Sequence, residues 1–293
     1  MSDNSLTPEE VAAILNITKN TVYEMVKRGE LKAYRIGRKI RIDEKEITAY
    51  KAKMRQKPAY SAGADNTSFI ICGQDIILDI LARYMEVRNP GIKILRSYKG
   101  SYNGIFDLYN DNADAATAHL WDGDSNTYNS VYVKTMLPGV PARLIALVQR
   151  RQGFYVKSGN PKNIRGWEDF KRDDITFVNR EKGSGTRVLL DEHLRLMGLK
   201  PSKIAGYDVV AESHILVAAM VSRGAADFGM GVEKAAKQSE NLDFIPLQQE
   251  RLDLIIKEAD LATPAIQSML NIIASDEYRS EIMSLGGYEL CTE

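Results

Sequence analysis

The segment that most restricts the fold runs from Ile175 to Leu194. Ile175-Thr176-Phe177-Val178 reads as a buried strand, and Val188-Leu189-Leu190-Asp191-Glu192-His193-Leu194 carries apolar residues at helical spacing. Between them stands Asn179-Arg180-Glu181-Lys182-Gly183-Ser184-Gly185-Thr186-Arg187. A strand, a glycine-rich turn and a helix start therefore meet at Ser184, Gly185 and Thr186. The glycines let the backbone approach a ligand, and the first helical turn offers unpaired N–H groups. Hydroxyls from Ser184 and Thr186 and the cation of Arg187 complete an anion cradle. Helix caps use the same residue types, so the motif alone leaves a plain capped connection open. No Lys-Ser or Lys-Thr pair follows the second glycine, which excludes a P-loop.

The same grammar recurs along the chain. Strand Ser68–Cys72 leads through Gly73-Gln74-Asp75 into a helix from Ile76 to Met85. Strand Gly91–Ser97 leads through Gly100-Ser101-Tyr102-Asn103 to a helix at Ile105–Asn110, and a strand from Asp114 to Ala118 ends at His119. Such alternation predicts parallel α/β sheets, whose ligands sit at the carboxyl ends of strands. The apolar run Leu144–Val148, continuing to Val156, predicts a long strand crossing between two lobes. Beyond the Ser184 loop, a strand is expected at Tyr207–Val210, Ser213 as cap of a helix from His214 to Arg223, and a strand entering Gly229-Met230-Gly231. That last turn lacks the third glycine and downstream acid of a dinucleotide site and reads as packing geometry. Strands at Phe244–Leu247 and from Glu250 to Ile256, then helices near 262–275 and 277–283, finish the chain.

Charge separates a head from a body. Residues 1–58 hold 13 Lys and Arg against 8 Asp and Glu, and the remainder 26 against 31, so the net charge of zero hides a basic head on an acidic body. A polyanionic partner would meet the head alone. Leu6-Thr7-Pro8-Glu9-Glu10 is a helix start, with Thr7 as N-cap, Pro8 at the first helical position and Glu10 closing a capping box. Val11, Ile14 and Leu15 form its apolar face. A second helix from Lys19 to Arg28 buries Val22, Met25 and Val26 and stops at Gly29. Residues 31–42 alternate about Gly37-Arg38 as a β-hairpin, and a last helix runs from Glu44 to about Met54. Residues 56–67, rich in Pro, Gly, Ser, Ala and Asn, form a linker.

Leu6 to Met54, through Thr21-Val22-Tyr23 and Lys27-Arg28-Gly29-Glu30-Leu31, resembles the excisionase-type helix-turn-helix of the MerR-like winged-helix group. The resemblance implies that the second helix enters the major groove of double-stranded DNA with Lys19, Asn20, Thr21, Tyr23 and Lys27. The wing would grip the backbone or minor groove through Arg38, Lys39 and Arg41.

Residues 68–293 resemble the type II periplasmic-binding-protein-like domain of cytosolic regulators, nearest to molybdate- and tungstate-binding proteins. The resemblance rests on Gly100-Ser101, Gly104, Asp114-Ala115, His119-Leu120, Tyr128-Asn129, Arg151-Gln152-Gly153, Gly183-Ser184-Gly185-Thr186-Arg187 and Ser213-His214. The first loop departs from the family's frequent Ser-His-Asp, reading Gly73-Gln74-Asp75. The expected architecture is a winged helix-turn-helix at 1–55, a linker at 56–67, and a two-lobed α/β domain at 68–293. Lobe I would take about 68–148 and 250–293, and lobe II about 149–249. The expected ligand contacts are Ser101, Ser184, Thr186 and Arg187, then Gln74, Asn103 and Arg151, with Gly100 and Gly185 allowing close approach and His214 added by its family position.

Catalysis is not expected. His119, His193 and His214 lack metal-ligand spacing, Cys72 and Cys291 match neither a disulfide framework nor a zinc pattern, and no nucleophile–base pair stands out. His193 reads as helix surface, Asp75 as a helix cap, and His119 as core or cleft. No cofactor is implied, no apolar run is long enough for a membrane span, and no signal peptide is read, so a cytoplasmic location is expected. Together these features describe a one-component transcriptional regulator, dimeric as paired half-sites require, with molybdate or tungstate as effector. The sequence also admits the same architecture with a small organic ligand, or an excisionase-like architectural DNA protein.

Overall fold

The computed structural model describes residues 5–15, 19–27, 31–37, 39–47 and 67–291. The chain divides into two compact units at Asp65 and Asn66. In the first, β1 (Ser5–Leu6) and β2 (Tyr34–Ile36) flank β3 (Lys39–Asp43), both antiparallel to it. The hairpin turns at Gly37, whose φ of +62° lies in the left-handed region that glycine tolerates. In α1 (Pro8–Leu15), Thr7 N donates to Glu10 Oε2 at 2.7 Å and Glu10 N to Thr7 Oγ1 at 3.2 Å, the expected capping box. Val11 of α1 and Val22 and Met25 of α2 (Lys19–Lys27) pack with Leu31, Ile42 and Ile47 into a small core. Ile14, expected on the buried face, is exposed. Residues 44–47 are helical, while the rest of that expected helix and the linker up to Asn66 lie outside the described residues.

The second unit is built on one sheet ordered β11-β10-β12-β9-β13-β6-β4-β5, with β14 (Glu289–Leu290) also on β9, and β7 (Trp121–Asp122) and β8 (Thr127–Tyr128) form a separate antiparallel pair. Its spine is β9 (Ala142–Lys157) and β13 (Leu242–Lys257), 16 residues each, paired antiparallel from end to end. A strand rises about 3.3 Å per residue, so this ribbon is long enough to serve two lobes. The sequence suggested two shorter strands in place of β13. Pro246 lacks the N–H that a ladder needs, and the strand tolerates it through a register shift between Pro246 and Gln248.

In lobe I, β4 (Thr67–Cys72) runs parallel to β5 (Ile92–Ser97) and β6 (Ala115–Ala118). Apolar layers cover both faces, one around Phe69, Leu81 and Met269, the other around Ile105, Leu108 and Val133. These layers bring in α3 (Ile77–Arg88), α4 (Ser101–Tyr109), α5 (Ser130–Met136), α9 (Pro264–Ala274) and α10 (Asp276–Ser284). In lobe II, β10 (Phe177–Arg180) runs parallel to β11 (Val210–Ala211) and β12 (Phe228–Val232), carrying α6 (Gly185–Leu196), α7 (His214–Ser222) and α8 (Glu233–Lys237). Its aromatic layer joins Phe154, Phe170, Phe177 and Phe228.

Three further expectations change. Helix α4 starts at Ser101, four residues before Ile105, so Ser101, Tyr102 and Asn103 form its first turn rather than a loop. The strand expected at Tyr207–Val210 gives way to Val210–Ala211, because residues 205–208 form a turn, with Tyr207 N donating to Ile204 O at 3.2 Å and Val209 N to Gly206 O at 2.9 Å. Trp121, within the span assigned to lobe I, packs in the lobe II layer.

Candidate functional site

A cavity of about 180 Å³ opens between the carboxyl ends of the strands of both lobes. From lobe I it takes Gly73, Gln74, Asp75, Gly100, Ser101 and His119, and from lobe II Arg180, Ser184, Gly185, His214 and Lys234. The starts of α4, α6 and α7 thus converge on one space. Amides in a first helical turn have no intrahelical acceptor, and the axial dipole adds partial positive charge. In α6, Ser184 caps Arg187 N at 3.3 Å, while geometry leaves the Gly185 and Thr186 amides without intrahelical acceptors. A Cβ at Gly185 would fall on the His119 ring, so only glycine fits there.

The cavity floor is a buried chain of charge. Arg150 lies between Asp75, which it meets through Nη1, and Glu250, whose Oε1 accepts from Nε at 2.5 Å. Glu250 Oε2 accepts from Gln152 Nε2 and faces His119 Nδ1, both at 2.8 Å. Burial would raise the Glu250 carboxyl, but Arg150, His119 and Gln152 hold it at about 2. An ionised Glu250 accepts only, so His119 presents Nδ1–H to it. Asp75 is fully occupied: Oδ1 accepts from Ile77 N at 3.0 Å and Tyr288 Oη at 2.8 Å.

Two polar atoms of the wall stand out. Lys234 Nζ and His214 Nδ1 are buried with no hydrogen-bond partner. The Lys234 amine lies 4.8 Å from the Tyr288 ring centroid, and burial lowers its pKa against a smaller upward pull from Asp75. Burial, then Arg180, Arg150 and His119, push His214 well below its ordinary value, so it is neutral at pH 7. Buried polar groups are ordinarily paired, and an unpaired one next to a cavity marks where a ligand atom would be accepted.

The lobes meet directly beside this space. Tyr102 N donates to Gly183 O at 2.9 Å, Arg180 donates to Gln74 Oε1 at 2.8 Å, and Gln74 Nε2 to Glu181 Oε1 at 3.3 Å. Gln74 therefore acts as a clasp between lobes at the cavity edge.

The structure brings Gln74, Gly100, Ser101, Ser184, Gly185 and His214 to one cavity. The remaining sequence candidates lie off it. Arg187 is held by Asp191 at 3.0 Å and by Arg180 O, with its guanidinium 4.2 Å from the Tyr207 ring centroid. Arg151 is exposed and pairs with Glu233 at 3.1 Å. Thr186 Oγ1 accepts from Gln152 Nε2 at 2.9 Å, and Asn103 borders a neighbouring surface depression. Ser184 lines the cavity, but its hydroxyl donates to Glu181 O at 3.0 Å, so it is spent as a donor. The cations of the wall are instead Lys99, Arg150, Arg180 and Lys234.

His193 is not helix surface. It is sandwiched between Trp121 and Trp167, ring centroids 4.5 and 3.7 Å away, with Nε2 3.0 Å from Gln248 Oε1. In the head, Lys19 is exposed and paired with Glu9, Tyr23 is exposed, and Arg41 is half-buried on β3. Lys39 opens β3, and Asn20, Thr21 and Lys27 lie on α2. Arg38 lies outside the described residues. Among the described residues there is no cluster of three or more potential metal ligands, and no helix is long and apolar enough to cross a membrane.

Two lobes of α/β structure, a cavity at their strand ends and a separate small helix-turn-helix unit define a DNA-binding domain joined to a binding-protein domain. The chain belongs to the PBP superfamily: the family described as PBP superfamily domain matches residues 82–274, and a helix-turn-helix domain matches residues 5–55. These are DNA-binding and substrate-binding domain types. An uncharacterized Bacillus subtilis protein, YvgK, is 42% identical over 298 residues, covering 98% of this chain and 95% of that protein. A solved structure described as a phosphate ABC transporter substrate-binding protein from Clostridium perfringens, with bound phosphate, aligns with a TM-score of 0.58 and 15% identity. It covers 77% of this chain and 100% of that one. An OxyR mutant of Corynebacterium glutamicum bound to H2O2 aligns with a TM-score of 0.52 and 14% identity over 95% of this chain and 89% of that one. At these identities the likeness is one of fold.

Proposed function

We propose that the protein is a one-component transcriptional regulator of the cytoplasm, a homodimer whose heads bind double-stranded DNA and whose bodies close on a small anion. The observation that carries this reading is the convergence of helix starts and the unpartnered Lys234 amine on one cavity, in a chain that also bears a helix-turn-helix. Each charge-assisted hydrogen bond there contributes about 1.5–3 kcal/mol, so a few of them offset an anion's lost hydration. Bound anion alters DNA affinity only as far as it prefers the closed lobes to the open ones.

Molybdate or tungstate is the first effector class, in keeping with the sequence resemblance, and phosphate joins it because the similar Clostridium perfringens protein carries phosphate. A small organic anion is a second reading. It is favoured by Ile76, Ile215, Val232, Ala235 and Leu252, which make part of the wall apolar. Calorimetric titration of the full chain with molybdate, tungstate, phosphate and short carboxylates tests the proposal. At least one saturates the wild type and none binds Gly185→Ala, whose Cβ falls on the His119 ring and forces it out of place. Absence of heat from every anion overturns anion sensing.

A further inference from the structure

The cavity's ionic groups can be counted in pairs. Lys99 pairs with Asp107 at 2.5 Å and Arg180 with Glu181 at 2.8 Å. Counting Lys, Arg, Asp and Glu side chains, Arg150 answers two carboxylates, Asp75 and Glu250, which leaves the floor one negative charge in excess. Lys234 has no ion pair and restores neutrality. What remains for an incoming charge is the partial positive ends of the helices, about half an elementary charge each. That suits one negative charge better than two, because a dianion in a closed cavity keeps a full charge uncompensated.

Shape points the same way. The volume of about 180 Å³ exceeds the roughly 150 Å³ of an engineered cavity that takes benzene. A five-atom oxyanion leaves much of it empty. The donors also sit at two poles: Ser101 and Gly185 lie by His119, whereas Lys234 lies by Tyr288. Between the poles run the contacts His119–Glu250, Glu250–Arg150, Arg150–Asp75 and Asp75–Tyr288.

We infer that the ligand is a short-chain organic monoanion with a second, uncharged oxygen: an oxo- or hydroxycarboxylate. Its carboxylate lies on the amides at Ser101 and Gly185, its carbon chain against Ile76, Ile215 and Leu252, and its hydroxyl or carbonyl oxygen accepts from Lys234 Nζ. This rests on the proposed sensing role of the same cavity and narrows its ligand class.

The test is calorimetry on the full-length protein with 4-hydroxybutyrate, levulinate, butyrate, succinate and molybdate, repeated on Lys234→Met. Levulinate or 4-hydroxybutyrate is expected to bind at least tenfold tighter than butyrate, which lacks the second oxygen, and tighter than the dianion succinate. In Lys234→Met the preference over butyrate falls to about one while butyrate still binds. Retained butyrate binding shows that the variant is folded, and Lys234→Arg, which keeps a donor, retains part of the preference. Molybdate binding with no carboxylate binding overturns this inference and leaves anion sensing standing. Equal affinities of levulinate, 4-hydroxybutyrate and butyrate, or a preference unchanged in Lys234→Met, also overturn it. Silence from all five compounds removes this inference, and silence from tungstate and phosphate as well removes anion sensing.

Discussion

Replacing Glu250 with Gln probes the buried floor that holds the lobes together. The Glu250 carboxyl is held at about 2 against an ordinary 4.5, although burial alone would raise it. At about 1.4 kcal/mol per pKa unit, its ionisation contributes about 3 kcal/mol at pH 7. Breaking a buried ion pair by other means gives a similar figure, about 3–5 kcal/mol. The sign follows from linkage: a carboxylate with a depressed folded pKa stabilises fully above its unfolded pKa. That contribution is lost as pH falls from about 4.5 through about 2. Glu250→Gln also turns an amide toward three donors, Arg150, His119 and Gln152. Both tryptophans, Trp121 and Trp167, lie in the 66–293 unit, so urea unfolding followed by their fluorescence reports on that unit alone. The variant should be less stable by about 3 kcal/mol at pH 7, and the gap should narrow to about 1 kcal/mol at pH 3. A gap under about 1 kcal/mol at pH 7, or one that does not narrow with acid, refutes the reasoning.

Without ligand, Lys234→Met should be at least as stable as the wild type at neutral pH in the same assay, since it removes an unpaired buried amine. His193→Ala should lose about 2–3 kcal/mol, because it empties the slot between Trp121 and Trp167, and the fluorescence of the folded state should change with it. In the head, Arg41→Ala should weaken DNA binding evenly across sequences and lower the salt slope by about one, as read from fluorescence anisotropy at several salt concentrations.

Much of the body was legible because its strands and helices alternate with glycine turns. Hydrophobic runs such as Phe69–Cys72 and Leu144–Val148 sit in the core or on the spine they announced. What the residues did not reveal was which cations face the ligand. Arg187 has the right loop but also Asp191 four residues on, a spacing that pairs helical charges, and that partner takes it away from the cavity. Arg150 and Arg151 adjoin on a strand, so they point to opposite faces. Only the register with β13 sets Arg150 against Glu250 and leaves Arg151 outside. Lys234 gave no local signal, since its role comes from Tyr288 and Asp75, which the fold brings in from distant parts of the chain. Phase was recoverable at Ser101, where Gly100-Ser101 has the small residues of a helix start. In the head, the capping box at Thr7 and Glu10 was readable because it depends only on neighbours in sequence.

The central claim is that the cavity and the DNA-binding head belong to one switch. Its most direct measurement takes a DNA site selected from a random pool by the full-length protein. Affinity for that site is then followed by anisotropy with and without a saturating anion, in the wild type and in Gly185→Ala. The account predicts that the anion shifts the wild-type DNA affinity by about 5- to 150-fold and leaves the variant unmoved. An anion that binds the wild type by calorimetry yet leaves its DNA affinity unchanged would contradict it.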